Sequence, residues 1–339
     1  MQTRTQAARQ RQHRTRMKAI VQDVYGPAEV LRTGEVDVPQ IGPDEVLVQV
    51  RAAGLDRGAW HLMTGQPYLM RLMGFGVRRP KNPVPGMEVA GVVAAVGADV
   101  TRFSLGDEVF GIARGSFAEY AAAPQGKLAP KPANLTFEQA AVVPISGLTA
   151  IQAVQEAGRV DAGHKVLIIG ASGGVGSYAL QLAKARGAHA TGVSSTAKTD
   201  LIRSLGADHV IDYTHEDFLD GTTRYDVIID TGGRNRLPRL RRALTPTGTL
   251  VIVGGDGGGK VTGGFGRGLR AAMLSPLVRQ RLLMLVNTEH HRYLDELRPL
   301  LEAGAVTPAL DITYPLAQAA AAMRRLEAGK ARGKIAITI

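Results

Sequence analysis

Four apolar residues run into a string of small ones and then into an amphipathic stretch at 166-VLIIGASGGVGSYALQLAKARGA-188. That order predicts a buried strand, a tight turn and a helix. Gly170, Gly173 and Gly176 fall three apart in the turn. There, Gly170 and Gly173 let the backbone bend sharply and approach a pyrophosphate, while Gly176 lets the helix lie close to the strand. The helix start, at Gly173, Gly174 and Val175, then offers phosphates its N–H groups and the positive end of its dipole.

The surroundings favour this reading over a bare structural turn. Strands and helices alternate onward through 188-AHATGVS-194, 197-AKTDLIRSLG-206, 208-DHVIDY-213, 225-YDVIID-230, 236-RLPRLRRAL-244 and 248-GTLVIVGG-255. Such alternation builds a parallel, doubly wound sheet. Ligands of such sheets bind beyond the carboxyl ends of the strands, which brings in the backbone of Val253, Gly254 and Gly255. The stretch 256-DGGGKVTGGFGRG-268 is rich enough in glycine to predict a mobile loop.

Upstream the texture differs. Residues 45-EVLVQVRAAGL-55 alternate like a half-buried strand, and 88-EVAGVVAAVGADV-100 and 106-GDEVFGI-112 read as strands joined by Gly and Asp turns. A compact, mostly β domain is predicted from 17 to 145. Near its end Thr136 and Gln139 form a capping box before a helical run that Pro144 interrupts. The nucleotide-binding domain follows over 146–287. Residues 288–339 hold two helices, the extended 310-LDITYPL-316 and the terminal 334-KIAITI-339, and are predicted to complete the first domain.

Which nucleotide is bound is written at the end of the strand after the turn. An NAD site places an acid there for the ribose hydroxyls. This chain has 192-GVSSTAK-198, with the hydroxyls of Ser194 and Ser195, a cation at Lys198 and no acid. Two hydroxyls and a cation suit a 2′-phosphate, so NADPH is the expected cofactor.

The net charge of +11 is unevenly spread. Arg4, Arg9, Arg11, Arg14, Arg16 and Lys18 face no acid in the first 18 residues; the other 35 basic residues exceed the 30 acids by five. A disordered basic tail over 1–16 is expected, dispensable for activity. With one Trp and no aromatic-rich stripe, nucleic acid is not expected as a partner. No run of 18 apolar residues predicts a membrane span. The chain has no cysteine, so disulfides, thiolate metal sites and thiol catalysis are excluded, in keeping with a cytoplasmic location.

The glycine turn, the SSTAK segment, 206-GADHVIDY-213, 85-PGMEVAGVV-93 and 146-SGLTA-150 together resemble the medium-chain dehydrogenase/reductase superfamily. Within it the chain resembles the zinc-independent quinone oxidoreductase-like branch, from Met17 to Ile339. The resemblance implies a Rossmann-type sheet inserted in a GroES-like, mostly β catalytic domain, and a homodimer formed through the nucleotide-domain sheet. It implies 2′-phosphate contacts at Ser195, Lys198 and Tyr213, with Ser194 adjacent, and nicotinamide contacts near Ser146 and Thr149. Lys334, in the closing ARGKI segment, is a further expected cofactor residue. Where related reductases often carry an Asn near the nicotinamide, this chain has Asp56, either a substrate-facing group or the cap of a local helix. His61 and Tyr68 are the other local proton donors. The Met-rich 62-LMTGQPYLMRLMGFG-76 would line the approach of a hydrophobic substrate.

Zinc-dependent members use a Gly-His-Glu motif and cysteines. Here the motif position reads Gly86-Met87-Glu88, and no metal is expected. His290 and His291 are expected on different faces at the surface. Without a Lewis acid, hydride delivery to a conjugated acceptor is easier than alcohol oxidation, because conjugation spreads the developing charge and hydrogen-bond donors suffice at the oxygen. The expected activity is NADPH-dependent reduction of a quinone or α,β-unsaturated carbonyl. The alternatives are an NAD(P)-dependent alcohol or aldehyde dehydrogenase and a non-catalytic, crystallin-like NADPH-binding protein.

Overall fold

The computed structural model describes residues 16–254 and 259–339. Apart from Arg16, the basic tail lies outside the described residues, as does Gly255. The chain opens with an antiparallel ribbon, β1 (Arg16–Val21) on β2 (Arg32–Asp37). A larger sheet follows, built from β3 (Glu45–Leu55), β4 (Glu88–Val96), β5 (Glu108–Ile112), β6 (Tyr120–Pro124) and β7 (Leu128–Pro130). The long strand β3 is its spine, pairing antiparallel with both β4 and β6.

Two helices lead out of this sheet, after α1 (Arg57–Thr64), which directly follows β3. In α2 (Phe137–Ala141) the predicted capping box is formed, with Thr136 and Gln139 satisfying each other's backbone N–H groups. The helix α3 (Pro144–Ile151) starts on its proline, where the missing N–H costs nothing, and is buried along most of its length.

The parallel sheet comprises β8 (Lys165–Ile169), β9 (His189–Ser194), β10 (His209–Asp212), β11 (Tyr225–Asp230), β12 (Leu244–Ile252) and β13 (Arg281–Met284), in spatial order β10-β9-β8-β11-β12-β13. Every pairing in it is parallel. Its connecting helices are α4 (Gly174–Ala185), α5 (Thr199–Ser204), α6 (Leu237–Arg242) and α7 (Phe265–Leu274). Strand order reverses between β8 and β11, and a crevice opens at such a switch point.

The glycine-rich stretch departs from the expected loop: residues Gly259–Thr262 and α7 are helical. Packing overrides composition here. Gly268, Ala271 and Leu274, at helical spacing, face the core of the parallel sheet, and a side chain at Gly268 would strike Met284 of β13.

The chain then runs through α8 (His291–Glu302), β14 (Leu310–Pro315), α9 (Ala319–Glu327) and β15 (Lys334–Thr338). The strand β15 pairs antiparallel with β3 of the first sheet. One apolar core crosses the junction, joining Ala52, Ala90 and Phe110 of the first sheet to Ile168, Leu180 and Leu297. Burial of such side chains contributes about 1.5–3 kcal/mol each, so the two sheets are held together by the force that holds each of them.

Candidate active site

The crevice is floored by the glycine turn. Gly170 has φ 81°, a conformation L side chains rarely adopt. A Cβ at Gly176 would collide with the Gly170 carbonyl and lie 2.8 Å from the Ala171 Cα, so only hydrogen lets α4 sit this close to the end of β8. Gly173 starts the helix in an extended conformation and no side chain caps it. The first-turn N–H groups, at Gly174 and Val175, therefore have neither an intrahelical acceptor nor a capping one. An uncapped helix start behind a glycine cradle at the switch point fits a dinucleotide pyrophosphate.

At one end of the crevice the residues expected at the 2′-phosphate gather. Ser194 ends β9, opposite Asp212 of β10. Its buried hydroxyl donates to the Ser195 carbonyl at 3.2 Å, and the Tyr213 N–H donates to the Ser194 carbonyl at 3.0 Å. The Tyr213 side chain stands exposed beside them. Lys198 donates to the Gly329 carbonyl at 2.7 Å. Burial lowers its pKa; Asp311 opposes this, while the nearby Arg325 and Arg332 add to it. The strand-end rule looked for an acid on β9 and passed over Asp212 on the neighbouring strand. Hydrogen bonds from Thr196, Thr214 and His215 hold that carboxyl well below the usual range, so its oxygens are already engaged.

Ser146 and Thr149 lie on α3. A Cβ at Gly174 would come within 2.7 Å of the Ser146 hydroxyl and 2.9 Å of the Lys334 Cδ, so both side chains abut the first turn of α4. The Thr149 hydroxyl donates to the Ile145 carbonyl at 2.6 Å and accepts from the Asn287 amide at 3.3 Å. Val253 and Gly254 follow β12, with both N–H groups donating to the Asp230 carbonyl. The buried Asp230 carboxylate pairs with Arg267 at 2.5 Å, and Arg267 also donates to the Gly254 carbonyl at 3.1 Å. This clamp between β11 and α7 went unread, because an Asp at a strand end and an Arg among glycines carry no signal of their pairing.

The facing wall comes from the first sheet. Asp56 serves as a cap: Oδ1 accepts the Ala59 N–H at 2.7 Å at the start of α1. Its Oδ2 is buried with no hydrogen-bond partner, so the helix uses only half of the carboxylate. An uncompensated buried oxygen is costly and marks a place where a ligand group fits. Sequence reading also missed the role of Glu88 beyond its motif position. Its carboxylate pairs with Lys334, both fully buried, and Oε1 accepts the Ile145 N–H at 2.9 Å. The available signal was an acid heading the apolar run 88-EVAGVV-93.

His61 and Tyr68 sit farther out. The His61 Nδ1 meets the Gln66 carbonyl at 2.6 Å, so Nδ1 carries the hydrogen. Tyr68 is 41% exposed, its ring under the Arg71 guanidinium. Beside it Leu72, Met73 and Phe75 are exposed, and a Cβ at Gly263 would come within 3.0 Å of the Pro67 ring. The Met-rich segment thus meets the glycine-rich one where Pro67 packs on Gly263. His290 and His291 do not diverge as expected. Their ring centroids lie 4.3 Å apart; His290 accepts from the Arg292 N–H, and His291 pairs with Asp295. Among the described residues no group of three His, Asp or Glu side chains is placed to hold a metal ion, and the chain has no cysteine.

A phosphate cradle at the switch point of a parallel sheet, walled by a β-rich module that the C-terminus completes, defines a dinucleotide-dependent oxidoreductase. Residues 42–133 match the alcohol dehydrogenase GroES-like domain and residues 205–337 the zinc-binding dehydrogenase family. The chain is 34% identical to the 2-methylene-furan-3-one reductase of Solanum lycopersicum, over 95% of this chain and 79% of that protein. It is also 34% identical to the chloroplastic NADPH-dependent alkenal/one oxidoreductase of Arabidopsis thaliana, with the same coverage of both. The quinone oxidoreductase of Coxiella burnetii superposes with a TM-score of 0.84 at 30% identity, covering 96% of this chain and 99% of that one. This chain belongs to the medium-chain dehydrogenase/reductase superfamily, in its quinone oxidoreductase-like branch.

Proposed function

We propose that the protein is an NADPH-dependent reductase of quinones or α,β-unsaturated carbonyls, working without a metal. The observation that carries this reading is the buried, unpartnered Oδ2 of Asp56 on the wall facing the uncapped start of α4. When bound, the reduced nicotinamide supplies a hydride. The Gly174 and Val175 N–H groups and Lys334 hold the pyrophosphate, Ser195, Lys198 and Tyr213 the 2′-phosphate, and Ser146, Thr149 and the backbone at Val253 and Gly254 line the nicotinamide position. The names of the plant relatives and of the Coxiella enzyme support the substrate class.

The substrate chemistry follows from the donor set. In a conjugated acceptor the negative charge spreads to the carbonyl oxygen, where hydrogen-bond donors suffice. Tyr68 is the candidate donor, since the Nδ1–H of His61 is already given to Gln66, and Asp56 orients the substrate through its free Oδ2. The apolar rim at Leu72, Met73 and Phe75 fits a hydrophobic substrate and shields the crevice from water.

The test is NADPH oxidation with a panel of 1,4-quinones, enones, aldehydes and alcohols. Turnover with quinones or enones is expected. Turnover confined to aldehydes and alcohols, or tight NADPH binding with no turnover on any acceptor, would overturn the reading.

A further inference from the structure

The Glu88–Lys334 pair is buried where an exposed alternative would cost far less, so its position calls for a role. Sheet register explains how it forms. Gly54 of β3 lies opposite Glu88 of β4 on one side and Ala336 of β15 on the other. Side chains alternate along strands, so Glu88, Asp56 and Lys334 share the face that Gly54 leaves empty. A Cβ at Gly54 would collide with the Glu88 carboxylate and the Ala141 carbonyl; glycine is the gap across which lysine and glutamate meet.

Four elements face Glu88. Lys334 comes from β15, Asp56 follows β3, and the Tyr178 hydroxyl on α4 donates to the Val142 carbonyl at 3.2 Å. Ile145, at the start of α3, supplies the N–H on the second oxygen. Burial pushes the Glu88 carboxyl up and Lys334 pulls it down, while Asp56 adds to the rise, leaving it at about 7. The stem of Lys334 also lies against Gly174, where the first turn of α4 awaits an anion.

We propose that Glu88 is a positioning residue that links cofactor binding to proton uptake. The Lys334 ammonium is shared between the Glu88 carboxylate and the incoming pyrophosphate, and Glu88 takes a proton from solvent as the phosphates draw that ammonium away. The inference rests on the NADPH-binding reading above and adds a pH-dependent step to it. An added pair of phosphate charges makes the carboxylate less favourable, so the bound state holds its proton to higher pH than the free state. Below about pH 7 Glu88 is protonated with or without cofactor, and affinity does not vary with pH through this group. Above that, the dissociation constant climbs by up to about tenfold per pH unit until the bound state also ionises.

Titration calorimetry of NADPH into the full chain at pH 8, in buffers of different ionisation enthalpy, reads the protons taken up directly. Up to one proton more is expected for the wild type than for Glu88→Gln, because the titration of the 2′-phosphate is common to both. Asp56→Asn keeps a good helix cap and removes a negative charge facing Glu88, so the break in the affinity profile moves to lower pH. This holds the test open should Glu88→Gln fail to fold. NADPH binding with equal uptake in the wild type and Glu88→Gln, or a break that does not move in Asp56→Asn, overturns the coupling and leaves the cofactor reading standing. Failure of the wild type to bind NADPH at any pH overturns both.

Discussion

Lys198→Ala tests the cofactor assignment at its most exposed point. A charge-assisted hydrogen bond to a phosphate contributes about 1.5–3 kcal/mol, or roughly 10- to 150-fold in affinity. Three features place the expected loss toward the lower end. Lys198 already donates to the Gly329 carbonyl, so one of its three N–H groups is committed. It is only half-buried, and salt screens what it gains. Arg332 stays within electrostatic reach, whereas Arg325 is held by Asp311 through Nε at 3.1 Å and Nη2 at 2.9 Å. About 10- to 30-fold weaker NADPH binding is expected, with NADH changed by less than about threefold, since NADH offers no 2′-phosphate. Losing the Gly329 bond costs stability about 1 kcal/mol at most, so the variant stays folded at assay temperature. Fluorescence titration with both nucleotides at one fixed ionic strength gives the two constants. An equal loss for NADPH and NADH would refute the argument, since the lysine would then act on something common to both.

Gly176→Ala forces a methyl into the Gly170 carbonyl and against the Ala171 Cα, so α4 must retreat from β8; a stability loss of about 1–3 kcal/mol is expected in chemical denaturation, with weaker binding of both nucleotides. At Asp56, an alanine removes the cap of α1 and lowers stability by about 1 kcal/mol, whereas asparagine keeps the cap; turnover falling in Asp56→Asn at unchanged melting temperature separates the free oxygen's role from the cap's. The raised pKa of Glu88 has its own sign in stability: the folded state binds more protons than the unfolded one between its ordinary value of 4.5 and about 7, so its contribution falls as pH rises through that window. Denaturation midpoints taken from pH 5 to 7.5 should show a steeper decline in the wild type than in Glu88→Gln, and parallel curves would count against the buried pair. Arg267→Lys, which cannot reproduce the fork to Asp230 and the Gly254 carbonyl, should loosen the Gly254 backbone and weaken binding of NADPH and NADH alike, read by fluorescence titration.

What sequence could and could not show follows from the range of each interaction. The turn, the parallel sheet and the capping box at Thr136 are local: neighbours in the chain are neighbours in space, and glycine spacing or a Thr-x-x-Gln pattern carries the geometry. The 256–268 segment misled because glycine was weighed as entropy alone, when at Gly268 it is the contact that lets a helix lie on Met284. Glu88, Lys334 and Asp56 are separated by up to 278 positions and meet only through strand register, which no spacing rule encodes. Gly54 shows why. Read along the chain it weakens a strand; read across the sheet it is the one residue that lets a carboxylate and an ammonium meet beneath the phosphate turn. Widening that position with Gly54→Ala should therefore disturb the pair before it disturbs β3, and a loss of proton-linked NADPH binding that exceeds the loss of stability is its expected signature. A variant that unfolds in step with its loss of binding would place glycine's role in the backbone contact with Ala141 and not in the pair.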